Sequence, residues 1–396
     1  MHLNNGAEAM DKFERMNCAL EHREPDRVPT ISCMDVQNYV YEALGEQVPK
    51  DITQYFGNRV VAKLVDIAAP LINKFGGLEK DFLNFFIKKV EADVKMGFDS
   101  VWDMYAEIFR LKDSGRMYDI FGRLYQIVYD DAGNLLTPAY MGGLFETPDD
   151  WKSWNKKQWE QHPEKMFKHN LEINKRFGKD IYIFGSHLYG LFEQTWQPFG
   201  FEKFVRLMRK EKSFIEDVIE YNKNWYLRCV DASVDAGFPA IIYSDDMAFK
   251  NGPMLNPKMM DSLFGAAYKE ITDHAHKKGR KIIIHTDGNT RLLLEYFIKW
   301  GFDGHHSIEP NADNVDIGEF RDIAGHRLSF LGHLDITHVL SFGTREEVYE
   351  HVQDVSRKAG KGGGLILGPC NSHYEIKVQN LRWMIEACKE MTYPIQ

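Results

Sequence analysis

The chain holds 396 residues, 44% of them hydrophobic, and its 58 acidic against 49 basic residues leave a net charge of -9. Aromatic residues recur along the whole length, so a sizeable core can form and a disordered chain is excluded. An acidic chain without basic stripes also excludes nonspecific nucleic-acid binding, which depends on displacing counterions from phosphate. No apolar stretch reaches the ~18 residues of a membrane span, and the start lacks a basic segment followed by an apolar run, so no membrane contact is expected. Cys18, Cys33, Cys229, Cys370 and Cys388 are few, odd in number and far apart, which fits a reducing compartment and a cytoplasmic location.

In chain order the elements alternate. Short apolar runs occur at RVPTISCMD (27–35), FDSVWDMY (98–105), IYIFGSH (181–187), FPAIIYSDD (238–246), KIIIHTDG (281–288), FDGHHSIEP (302–310), RLSFLGHLD (327–335) and GGLILGPCN (363–371). Helical patterns separate them, several closing on glycine as helix ends do. Eight apolar strands, each followed by helix and each able to be covered on both faces, predict a closed (β/α)8 TIM barrel. An open doubly wound sheet would carry a glycine-rich phosphate loop after its first strand, and none is present. RLYQIVYDDAGNLLTPAY reads as two strands about DDAGN, which predicts a β-hairpin inserted between the second and third barrel strands. A helical extension precedes the first strand, and residues 1–396 are expected to form one barrel domain.

In such barrels the C-terminal strand ends converge on one mouth, where the chemistry is found. The expected mouth residues are Asp35, Asp103, Ser186, His187, Asp245, Asp246, His285, Asp287, Glu309, His333, Asp335, Cys370 and Asn371. A single strand-end Asp is most often a cap for helix amides, but so many converging ionisable groups point to a site. Asp246 and His285, at the ends of adjacent strands, are the expected acid–base pair, with Asp287 beside them. Asp103, His187, Asp245, Glu309, His333 and Asn371 are expected to bind substrate. Aromatic neighbourhoods at residues 39–41, 104–109 and 188–199 could wall an apolar ring, and core packing explains them equally well.

ERMNCALEHREPDRVPTIS (14–32), SDDMAFKNGPMLNP (244–257), HTDGN (285–289), HSIEPNADNVDIGEFRD (306–322), GHLDITHVLSFGTREEVYEHV (332–352) and GGGLILGPCNS (362–372) together resemble the uroporphyrinogen decarboxylase superfamily. The decarboxylases of that superfamily hold a carboxylate-rich tetrapyrrole with arginines just after the first strand. Residues 33–44 here contain neither Arg nor Lys. The resemblance therefore implies the other large branch, methyltransferases that move a methyl group to or from a corrinoid (cobalamin) carried on a partner protein. Its thiol-activating members hold zinc with a His-x-Cys pair after the fifth strand and a Cys near the end of the eighth. His285 and Cys370 match that pattern and Asp287 replaces the first cysteine, so His285, Asp287 and Cys370 form the implied Zn2+ set, with Glu309 as a substitute ligand.

An oxygen ligand in place of a thiolate leaves a harder site, suited to an ether or hydroxyl oxygen. The resemblance thus implies the methyltransferase component of an O-demethylase, acting on a small methoxylated aromatic and docking a corrinoid-binding protein over its mouth. The chain has no Asp-x-His-x-x-Gly run that would bind a corrinoid itself. The hairpin at Asp130 to Asn134 is a candidate docking element or homodimer contact. Zinc-dependent transfer from another small donor or to a thiol, decarboxylation, and a catalytically inactive binding barrel remain as alternatives.

Overall fold

A computed structural model of the chain describes residues 9–49, 59–74, 79–103, 109–128, 138–158, 168–187 and 190–395. The strands are β1 (Ile31–Ser32), β2 (Ser100–Asp103), β3 (Phe109–Asp113), β4 (Arg116–Asp119), β5 (Arg123–Gln126), β6 (Ala139–Gly143), β7 (Tyr182–His187), β8 (Ala240–Ser244), β9 (Ala248–Phe249), β10 (Gly252–Pro253), β11 (Lys281–Thr286), β12 (Gly304–Ser307), β13 (Ser329–Leu334) and β14 (Leu365–Pro369). Eight of them form one parallel sheet in the order β1-β2-β7-β8-β11-β12-β13-β14. A parallel bridge between Thr30 and Leu367, with the Leu367 N–H donating to Pro29 O at 2.9 Å, brings the last strand back to the first. Helices flank this ring, giving the TIM-barrel fold that the alternation of strand and helix predicts.

Strand alternation sorts side chains between two cores. Ile282 and Ile284 of β11 join the large cluster under the helices, while Ile283 joins Ile31, Trp102, Tyr182, Phe184, Ala240, Ile242, Leu331 and Ile366 inside the barrel. The foot of the interior is plugged by the N-terminal helix Lys12–Leu20, which contributes Met16, Ala19 and Leu20 and starts with an Asp11–Glu14 capping box. Arg15 fastens that helix to Asp26 at 2.6 Å and Asp99 at 2.8 Å, so the expected N-terminal extension serves as the barrel floor.

The insertion is larger than the predicted hairpin. β5 and β6 pair antiparallel as expected, but they belong to a four-stranded sheet in the order β3-β4-β5-β6, covered by the helix Arg59–Lys74. The sequence signal of β3 and β4 was missed because FRLKD and RMYD are short and charged. Asp130 to Asn134, the proposed tip, lies outside the described residues. No helix among the described residues is long and apolar enough to cross a membrane.

Candidate active site

Alternation decides which strand-end groups reach the mouth. On β8, Ala240 and Ile242 face the interior, so Asp246 continues the inward row and Asp245 turns outward. On β11, Ile283 is followed inward by His285, and Asp287 extends the same row. Asp246, His285 and Asp287 each offer a donor atom within 4.8 Å of the other two, the grouping of this kind found among the described residues. Asp246 Oδ1 accepts from the Asp287 N–H at 3.1 Å, which ties the two loops together.

Neighbouring strands hold the cluster in place. Asp287 is oriented by Ser307 Oγ, which donates to its Oδ1 at 2.6 Å, and by Asn371 Nδ2, which donates to its Oδ2 at 2.6 Å. Glu309 Oε2 accepts from the Gly288 N–H at 3.1 Å. Gly288 has φ +81°, and a Cβ there would stand 2.6 Å from Phe249 O, so the turn after Asp287 requires glycine. His285 and His306 are register partners on β11 and β12, with their Nδ1 atoms 2.7 Å apart. The Trp102 ring packs on His285 with centroids 4.7 Å apart, closing the floor of the mouth.

Asp246, Asp287 and Glu309 share this space, and among the described residues no Lys or Arg forms an ion pair with them. Burial pushes Asp246 up to about 7, with a further push from Asp287 and Glu309. Burial, and then Asp287, raises Glu309. Burial also lowers the proton affinity of His285, against the pull of Asp287, and lowers that of His306 strongly. Burial thus favours the protonated form of the Asp246 carboxyl and the neutral form of the His285 imidazole side by side at the mouth.

Glu193, on the helix Leu191–Trp196, was not visible in the sequence because nothing in LFEQTW marks it. It is buried, its Oε2 accepts from the Asp246 N–H at 2.9 Å, and its Oε1 accepts from Gln197 Nε2 at 2.6 Å. Burial first, then Asp246 and Asp245, raises its proton affinity well above the usual range. Buried Arg123 of β5 donates to Gln197 Oε1 at 3.2 Å, so the inserted sheet is wired to the mouth through Gln197 and Glu193. His306 had a signal, the paired histidines of FDGHHSIEP, which alternation would have aimed inward.

Of the sequence-derived site residues, Asp246, His285, Asp287, Glu309 and Asn371 meet. Asp245 does not: its carboxylate accepts from the N–H groups of Phe192 and Glu193, both at 2.9 Å, and from Tyr268 Oη at 2.6 Å, away from the mouth. His333 has φ +71° and its Nδ1 bonds Ile308 O at 2.7 Å, with burial holding it at about 4. Asp335 is turned to the Thr337 and His338 N–H groups and to Asn311. Cys370 is 1% exposed, burial raises its thiol strongly, and it stands outside the three-residue grouping, whose third donor atom comes from Asp246. Asp103 ends β2 and His187 ends β7; their side chains lie outside the described residues, as do residues 104–108 and 188–189 of the aromatic neighbourhoods.

Residues 198–391 match the family model for uroporphyrinogen decarboxylase (URO-D). The chain carries a URO-D family domain. That stretch contains Asp246, His285, Asp287, Glu309 and Asn371, while Glu193 and the inserted sheet precede it. Methylated-thiol–coenzyme M methyltransferase of Methanosarcina mazei is 29% identical over 147 residues, a match spanning 36% of this chain and 38% of that enzyme. A solved methyltransferase from Methanosarcina mazei superposes on 96% of this chain and 99% of its own with a TM-score of 0.66 at 14% identity, which shows a shared fold. A 3-keto-D-glucoside 4-epimerase from E. coli overlaps 58% of this chain and 86% of its own at a TM-score of 0.38 and 10% identity, too little to bear on this URO-D barrel.

Proposed function

We propose that this protein is a corrinoid-dependent methyltransferase which removes a methyl group from a small methoxylated aromatic donor. The observation that carries the reading is Asp246, a carboxyl pushed up to about 7 beside neutral His285 at the mouth of a URO-D barrel. Supporting it are the sequence likeness to a methyltransferase and the absence of Arg and Lys from residues 33–44, where a carboxylate-rich tetrapyrrole would need cations. The reduced corrinoid of a partner protein would supply the nucleophile that receives the methyl group. On this chain, Asp246 holds its proton against the leaving oxygen. As the methyl–oxygen bond breaks, the electron pair stays on oxygen, the Asp246 proton moves to it, and the donor leaves as a phenol. His285 Nε2 offers a hydrogen bond to that oxygen, the Asp287 N–H holds Asp246 in place, and Trp102 excludes water from beneath it.

Zinc fits the same residues. One imidazole nitrogen and two carboxylates within 4.8 Å make a three-ligand set with an open position, so Asp246, His285 and Asp287 would hold the ion. A divalent cation there would displace the Asp246 proton and polarise a bound oxygen in its place, so ion and acid are alternative ways to stabilise the leaving oxygen. We further propose that residues 1–396 act as one URO-D-like unit in the cytoplasm, where its five free, buried cysteines stay reduced.

A second reading, transfer from a methylated thiol, is favoured by the name of the Methanosarcina mazei relative. The test incubates the purified chain with free cob(I)alamin and a panel of methoxylated aromatics and methyl thioethers, following loss of Co(I) absorbance and release of phenol or thiol. Phenol release supports the O-demethylation reading; turnover confined to thioethers replaces it with the second.

A further inference from the structure

A groove of about 600 Å³ runs between the helix Phe201–Lys210 and the start of the helix Pro257–Lys277. Met208, Met254, Leu255 and Leu263 form its floor, and Met259 on its edge is 45% exposed. Methionine side chains adapt to varied apolar surfaces, which suits a docking floor. Arg209, Lys212 and Lys258 rim the groove, and no acidic residue lines it among those described. Lys212 pairs with Glu216 at 2.8 Å, while among the described residues Arg209 and Lys258 have no ion-pair partner. In a chain of net charge -9 this rim reverses the local sign, which favours an acidic partner.

The topology places the groove at the mouth. Lys212 starts the helix Lys212–Asp235 and Asn256 caps Pro257–Lys277, and both helices carry the chain from the mouth back to the foot of the barrel. The hairpin β9–β10 joins groove to site: the Met254 N–H donates to Met247 O at 2.8 Å, and the Asn289 N–H donates to Phe249 O at 2.9 Å, two residues from Asp287. Phe249, 53% exposed, and Leu292, 58% exposed, extend the apolar surface along the same loops.

Resting on the methyltransferase reading, we propose that this groove receives an acidic segment with apolar side chains on the corrinoid-binding protein, seating the macrocycle over Asp246 and Asp287. The rim steers the partner and the methionine floor holds it. Neither Arg209 nor Lys258 touches the reacting atoms.

The test compares wild type with Arg209→Glu/Lys258→Glu and with Met259→Glu, each checked for native circular dichroism. The probes are a purified holo corrinoid-binding protein and, separately, free cob(I)alamin. The double variant should raise KM for the corrinoid protein about tenfold or more and weaken calorimetric binding alike, while methylation of free cob(I)alamin is unchanged; each 1.4 kcal/mol lost is tenfold. Wild-type binding should also weaken with salt. Unchanged KM and binding in both variants overturn the proposal, as would variants that only dissociate a dimer of this chain. If wild type methylates neither probe, the methyltransferase reading fails, and the binding isotherms still decide the groove.

Discussion

The Nδ1 atoms of His285 and His306 lie 2.7 Å apart across β11 and β12. One proton occupies that contact, so one ring donates and the other accepts, and the pair cannot be doubly charged. His306 is fully buried and orients the ring that faces the mouth. His306→Phe keeps the volume and removes the orienting bond, so methyl transfer should fall about tenfold or more, as losses of such supporting partners do. Wild-type rates in a natively folded His306→Phe protein would show that the bond has no orienting role.

Asp246→Asn removes the proton with little change in volume, and transfer from ethers should drop about 100-fold or more. Because Asp246 is held at about 7, the wild-type rate should decline as pH rises through that value, when the acid is lost. The Asn variant should show a flat profile over the same range. Full activity in both Asp246→Asn and His285→Ala would remove this pair from the mechanism.

Metal retention separates two ligand sets. The geometry groups Asp246, His285 and Asp287, so Asp287→Ala should lose added zinc whereas Cys370→Ser should keep it. Elemental analysis checks the first point. A cobalt(II)-substituted protein checks the second, because thiolate ligation would add an intense charge-transfer band that the N/O set lacks.

Asp245 should prove structural. Asp245→Ala strips acceptors from two backbone N–H groups and from Tyr268 Oη in a fully buried setting, costing about 2–4 kcal/mol. Thermal unfolding would show it as a lower Tm. A variant with wild-type stability and no transfer would return Asp245 to the chemistry.

His333 gives a pH dependence of stability. Burial holds it at about 4, below the ~6.5 of an unfolded histidine, so the unfolded chain binds the proton first as pH falls. Nothing is lost above ~6.5, and at pH 5 the cost is about 2 kcal/mol. Asp246 works in the opposite sense, because its raised affinity favours the folded state as pH falls. His333→Asn, which tolerates the positive φ, isolates the effect: its stability should fall less than wild type between pH 7 and 5 in denaturant titrations.

The sequence by itself determined the barrel and the inward pair of β11. Three consecutive isoleucines followed by His285, Asp287 and a glycine read as a strand buried on both faces, whose alternation aims those two groups into the mouth. The same alternation, applied to Ser244, Asp245 and Asp246, separates the outward aspartate from the inward one, a distinction legible in the period of two. Only the tertiary structure decided that Glu193 stands behind Asp246 and that Cys370 lies outside the donor cluster. Those facts depend on how a short helix and the last strand end pack in three dimensions, across gaps of 53 residues in one case. Local pattern carries no information about such distances. The proton on Asp246 has the same origin, since burial and neighbouring carboxyls brought in by separate strands set it, and those neighbours meet only when the ring of strands forms.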